Sequence, residues 1–134
     1  MVAWIVVEDE PDLYEMVLAM YDTMGIDGVA FSSGEDAVDW IKAVDGGYSG
    51  SEIPEVALID IRLPGDVSGI EVSARLRQSV SLGSMVIVLM TAYRLSPQEE
   101  AVTQRQARAD LVMYKPLPLF TEFQRRLEAA GVRL

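Results

Sequence analysis

The chain has 134 residues, half of them hydrophobic and 24% charged, which fits one ordinary globular domain, residues 1–134. It contains neither Cys nor His, which excludes disulfides, thiolate metal sites, cysteine nucleophiles and imidazole bases. Its formal net charge is −10, and a surface of that sign repels phosphate backbones, which argues against direct nucleic-acid binding by this domain.

The opening MVAWIVVEDE has no basic segment, and its apolar run is far too short for a signal peptide or a membrane span. A cytoplasmic protein is expected. Residues 3–7 are apolar and β-branched and stop at acid, as a buried strand does. Pro11 suits the first turn of a helix capped by Asp9 or Glu10, and Leu13, Met16, Val17, Met20 and Met24 recur along it at helical spacing. Gly25 and Gly28 bracket the exit, and residues 29–31 form a weaker strand. Ser32 or Ser33 caps the next helix, whose inner face carries Ala37, Val38, Ile41 and Val44.

Residues 46–54 are rich in Gly and Ser and read as a surface loop. Their Gly-Gly pair leads into no helix and no Gly-Lys-Ser/Thr, so a phosphate loop is rejected. Residues 56–59 form a third strand that ends at Asp60, and a Pro- and Gly-containing loop over 63–68 follows. The helix beyond it places Val72, Leu76 and Val80 in register. Residues 85–90 are the most apolar run and predict a central strand. Ser96-Pro97 with Glu99 and Glu100 starts a helix to about Arg108 that is polar nearly all round, and so loosely held. Residues 111–114 are the fifth strand, and Phe120, Phe123 and Leu127 define the last helix. Five strands alternating with five helices imply an α/β fold, a parallel sheet doubly wound by right-handed crossovers.

Ligands bind such sheets at the carboxyl ends of the strands, near the point where strand order reverses. The polar residues fall there: Glu8, Asp9 and Glu10 after the first strand, Asp60 after the third, Thr91 after the fourth and Lys115 after the fifth. Each type alone is ordinary, as a helix cap, a turn residue or a solvated loop. Their joint placement is not. Clustered carboxylates raise one another's pKa, and a hard divalent cation such as Mg²⁺ relieves the repulsion. A carboxylate beside that cation can attack phosphorus, with the cation, Lys115 and Thr91 stabilising the phosphoryl oxygens. The small Ala92 leaves room beside the acceptor.

VVEDEP at 6–11, LIDIRLPG at 58–65, Gly69, VIVLMTA at 86–92 and YKPL at 114–117 come in the order and spacing of a known family. Over nearly its whole length the chain resembles the receiver domain of two-component response regulators. The resemblance implies a flavodoxin-like sheet of five parallel strands, order 2-1-3-4-5, with five helices. It implies Asp60 as phosphoacceptor, and Asp9, Asp60 and the Arg62 carbonyl as direct Mg²⁺ ligands. Glu8 would act through a metal-bound water. Lys115 would pair first with the acceptor and then with the phosphoryl oxygens, and Thr91 would bind the phosphoryl group and carry the signal. The donor would be a phosphohistidine on a sensor histidine kinase or phosphotransfer protein. The receiver would catalyse its own phosphorylation and dephosphorylation without turning over an external substrate.

Three departures stand out. Val112 occupies the position, three residues before Lys115, where the family usually has its switch aromatic, and Tyr114 falls on another register. The loop from Asp60 to Gly69 carries Asp66-Val67-Ser68, one residue more than the commonest pattern. Arg62 and Tyr93 lie two residues beyond the acceptor and the Thr, where they would flank the attacking water and set the phosphoryl lifetime. The chain ends shortly after the last helix, so it reads as a stand-alone receiver or as a domain of a larger chain. Its output would be a contact with an effector protein or domain through the fourth helix, fifth strand and fifth helix, and a homodimer is among the expected assemblies. The competing reading is a pseudo-receiver, a phosphorylation-independent interaction or dimerisation module. An aspartyl-phosphate hydrolase is disfavoured because Arg62 stands where those enzymes place a second Asp. A flavodoxin is disfavoured because the first loop is acidic.

Overall fold

A computed structural model describes residues 2–47, 52–118 and 120–134. Residues 48–51 of the expected 46–54 loop lie outside the described residues. The elements are β1 (Ala3–Val7), α1 (Pro11–Thr23), β2 (Asp27–Phe31), α2 (Gly34–Asp45), β3 (Val56–Asp60), α3 (Gly69–Gln78), β4 (Val86–Thr91), α4 (Pro97–Ala107), β5 (Leu111–Tyr114) and α5 (Phe120–Ala129). The strands form one sheet in the order β2-β1-β3-β4-β5, with every neighbouring pair parallel. This is the flavodoxin-like architecture that the resemblance implied.

The sheet is buried on both faces because its inner strands are apolar at successive positions, and strand side chains alternate between faces. Ile5, Val7, Ala57, Ile59, Ile87 and Leu89 meet Ile41 of α2 and Val72 and Leu76 of α3 on one side. Trp4, Val6, Leu58, Val88, Met90 and Met113 meet Val17 and Tyr21 of α1 and Phe123 and Leu127 of α5 on the other. Each Val, Leu, Ile, Met or Phe among them contributes about 2 kcal/mol relative to leaving it exposed. The Tyr21 hydroxyl donates to the Ile5 carbonyl at 2.8 Å, which satisfies its polar tip inside the core.

Several sequence expectations are corrected. Gly28 does not mark a helix exit; it lies inside β2, which begins at Asp27 and packs close to Leu18 of α1. Met16 points outward at 52% exposure, and Tyr21, absent from the expected apolar stripe, turns inward instead. α3 ends at Gln78, so Val80 is not on it and stands 98% exposed. Phe120 opens α5 on its outer side, leaving Phe123 and Leu127 as its buried anchors. α4 is as polar as expected, with Ala107 its buried residue. It is held at its start by a Ser96–Glu99 capping box and along its length by bonds that include Tyr114 Oη to Glu100 Oε2 and Ser73 Oγ to the Ala107 carbonyl, each 2.8 Å.

Candidate functional site

β1 sends its chain to β2 on one side while β3 lies on the other, so strand order reverses between β1 and β3 and a crevice opens at their carboxyl ends. The ladder continues past the strand ends and fixes the residues there. Glu8 N–H donates to the Phe31 carbonyl at 3.0 Å, Ile61 N–H to Met90 at 2.9 Å and Lys115 N–H to Thr91 at 2.8 Å. α3 starts directly against β3, and a Cβ on Gly69 would collide with the Asp60 carbonyl, so only glycine permits this approach.

Into the crevice project Glu8, Asp9 and Asp60, which each bring a carboxylate oxygen within 4.8 Å of the others. Asp9 is exposed, Asp60 is 7% exposed and Glu8 is fully buried. The Lys115 ammonium donates to Glu8 Oε1 at 2.6 Å and to Asp60 Oδ2 at 3.1 Å. The remaining oxygens follow one pattern: Glu8 Oε2 accepts from the Glu10 N–H and Asp60 Oδ1 from the Arg62 N–H, each at 3.2 Å and two residues on.

Electrostatics explain why one cation does not neutralise the cluster. Burial pushes the Glu8 carboxyl above its usual value, and the neighbouring Asp60 adds to the rise against the pull of Lys115. For Lys115, burial pulls downward, but the hydrogen bonds and charges of Glu8 and Asp60 outweigh it and hold the ammonium above the usual lysine value. Hard oxygen donors with one ligand open to solvent suit Mg²⁺, which keeps several waters and takes few carboxylates. The donor set therefore fits that cation.

Thr91 is buried at the end of β4, and its Oγ1 accepts the Tyr93 N–H at 3.1 Å. The Arg62 guanidinium lies 3.8 Å from the centroid of the Tyr93 ring, so the β3–α3 and β4–α4 loops touch beside the crevice. Val112 is buried in β5, whereas Tyr114 is half-buried, with Arg94 4.9 Å from its ring centroid. Sequence reasoning missed Glu35 of α2, whose carboxylate reaches the Asp66 N–H of the β3–α3 loop at 2.9 Å. The 31-residue separation left no local signal.

Fold and site together define a flavodoxin-like α/β protein with a carboxylate-and-lysine crevice at its topological switch point. The chain belongs to the response regulator receiver domain family, whose model matches residues 4–124, and is thus a receiver domain of two-component signalling. It is 27% identical over 120 residues to the polar-differentiation response regulator DivK of Brucella ovis, covering 88% of this chain and 89% of the relative. Among solved structures, it resembles the Vibrio cholerae chemotaxis protein CheY4 with a TM-score of 0.77 at 18% identity, over 98% of this chain and 99% of the other. The Francisella response regulator 1452 receiver domain matches with a TM-score of 0.75 at 17% identity over 97% of each chain. No helix among the described residues is long and apolar enough to cross a membrane.

Proposed function

We propose that residues 1–134 form a single cytoplasmic receiver that accepts a phosphoryl group on Asp60 in a Mg²⁺-dependent reaction. The carrying observation is the Lys115 ammonium, bonded to Asp60 at 3.1 Å and to Glu8 at 2.6 Å beside the exposed Asp9. An Asp60 oxygen attacks the phosphorus of a phosphohistidine on a sensor kinase or phosphotransfer protein; the new O–P bond forms as the N–P bond breaks. Lys115 orients the carboxylate before transfer and neutralises the phosphoryl oxygens after it. The Thr91 hydroxyl, which accepts the Tyr93 N–H, donates its own proton to a phosphoryl oxygen, which couples the β4–α4 loop to the acceptor. Asp9, Asp60 and the Arg62 carbonyl would hold Mg²⁺ directly and Glu8 through a water. The ion supplies charge neutralisation for the transferring group. The Arg62–Tyr93 stack, beside the crevice, would flank the attacking water and so set the phosphoryl lifetime.

The output is a changed contact face on α4, β5 and α5, offered to an effector or a second copy. One observation favours the competing pseudo-receiver reading: Val112 is a buried aliphatic where the family's moving aromatic usually sits. Acetyl phosphate with Mg²⁺ separates the two. The wild-type chain gains one phosphoryl mass and Asp60→Asn gains none. A wild type that stays unmodified, or a variant modified equally, defeats the phosphoacceptor reading.

A further inference from the structure

The β3–α3 loop, residues 61–68, joins the end of one strand to the start of one helix. Its first part carries the Arg62 N–H that donates to Asp60 Oδ1. Its tip, Pro64 to Asp66, is exposed, and Leu63 and Val67 on either side pack against the core. The tip's backbone is held from another element. Glu35, in the first turn of α2, accepts the Asp66 N–H through Oε2 at 2.9 Å. That bond is the leading cause holding the Glu35 carboxyl below the usual glutamate value.

Two glycines show how close the approach is. A Cβ on Gly34 would collide with the Val67 carbonyl, and one on Gly65 would collide with the Glu35 carboxylate. Gly65 also has φ +83°, a conformation that other residues adopt only with strain. The other carboxylate oxygen, Glu35 Oε1, is buried without a hydrogen-bond partner. A glutamate in a first helical turn is accounted for by the helix dipole alone. A carboxylate turned to a loop 31 residues away, with one oxygen buried and unpartnered, is not.

We propose that Glu35 is a positioning residue: it clamps the β3–α3 loop from α2, and through that loop sets the Mg²⁺ affinity of the acidic crevice. The loop backbone holds both groups that the metal site needs from this side, the Asp60 carboxylate through the Arg62 N–H and the Arg62 carbonyl itself. An outer residue that orients ligands without touching the ion changes affinity by about 10–100-fold when removed. Glu35 acts at one further remove, so the lower end applies. The metal half of this inference rests on the Mg²⁺ site proposed above; the clamp itself does not.

Calorimetric Mg²⁺ titration of the full chain and amide exchange of the metal-free protein test it. Glu35→Ala weakens Mg²⁺ binding about tenfold. It speeds exchange at Asp66 and Val67 while the sheet amides keep their protection. Acetyl phosphate labelling slows at limiting Mg²⁺ and recovers at saturating Mg²⁺, which a merely structural loss does not allow. Glu35→Gln, which keeps one acceptor oxygen, stays near wild type. Unchanged Mg²⁺ affinity in a folded Glu35→Ala overturns the proposal. So does exchange that rises in the sheet as much as in the loop. A wild type with no Mg²⁺ affinity instead removes the metal reading itself, and leaves loop exchange to decide the clamp.

Discussion

Lys115 sits between two carboxylates that its own charge makes tolerable. Glu8 is fully buried, and burial together with Asp60 pushes its pKa up against the pull of Lys115, so the folded chain holds a proton there more tightly than the unfolded chain does. At neutral pH the ionised Glu8 therefore weighs against folding, and that penalty fades as pH falls through its raised pKa. Removing the ammonium leaves both carboxylates unpaired. Because the Lys115 side chain is 18% exposed, the low end of the cost of breaking a buried pair applies, about 3 kcal/mol. Urea unfolding of metal-free Lys115→Ala at neutral pH should show that loss, and Glu8→Gln in the same background should recover part of it. A Lys115→Ala chain as stable as wild type would mean that the crevice is solvated well enough to need no ammonium. That Glu8, Asp9, Asp60 and Lys115 gather in one crevice was readable from the sequence, because each falls at or just past a strand end. That Glu8 makes the shorter bond to Lys115 was not, since it depends on how strand ends 107 residues apart come together.

At the scale of elements, the helices divide into those held by apolar stripes and one held by polar bonds. α4 has one buried residue, Ala107, and its start depends on the Ser96–Glu99 box. The Ser96 N–H, donating to the Glu99 carboxylate, is the first cause holding that carboxyl below its ordinary 4.5. A depressed carboxylate pKa contributes stability that is present above the ordinary value and is lost as pH falls through the lowered one. Wild type should therefore be more stable than Glu99→Gln at neutral pH, with the gap closing in acid, as followed by urea unfolding at a series of pH values. A gap independent of pH would show that the box works by shape and not by charge. Ser96-Pro97 with Glu99 announced this helix start in the sequence because capping is local. The tie from Tyr114 to Glu100 was hidden, because it joins a strand to the helix before it.

For the whole molecule, the crevice exists only when β1, β3 and β5 are assembled, so an ion that binds it binds the folded chain alone. Mg²⁺ at a hundred times its dissociation constant should add about 2.7 kcal/mol, read as a rise in thermal midpoint. Asp9→Asn or Asp60→Asn should lose most of that rise. Monovalent salt at equal ionic strength should not reproduce it, although it screens a chain of net charge −10. An equal rise with monovalent salt would reduce the effect to general screening.

The strand runs, several helix starts and the row of polar residues at strand ends were legible in the linear chain, because periodicity, capping and the apolar-to-polar break are local properties. So, through the order and spacing of 6–11, 58–65, 86–92 and 114–117, was the fold. Other features belong to the tertiary structure alone. Val80 and Phe120 continue helical spacings in the sequence, yet one lies past the helix end and the other on its outer side, because element ends and packing partners decide which face is inside. Tyr21 and Glu35 look like ordinary surface residues until the Ile5 carbonyl and the Asp66 N–H are brought to them. Hydrogen bonds across long stretches of chain have no pattern to read beforehand; they appear only when the packed sheet and helices put donor beside acceptor.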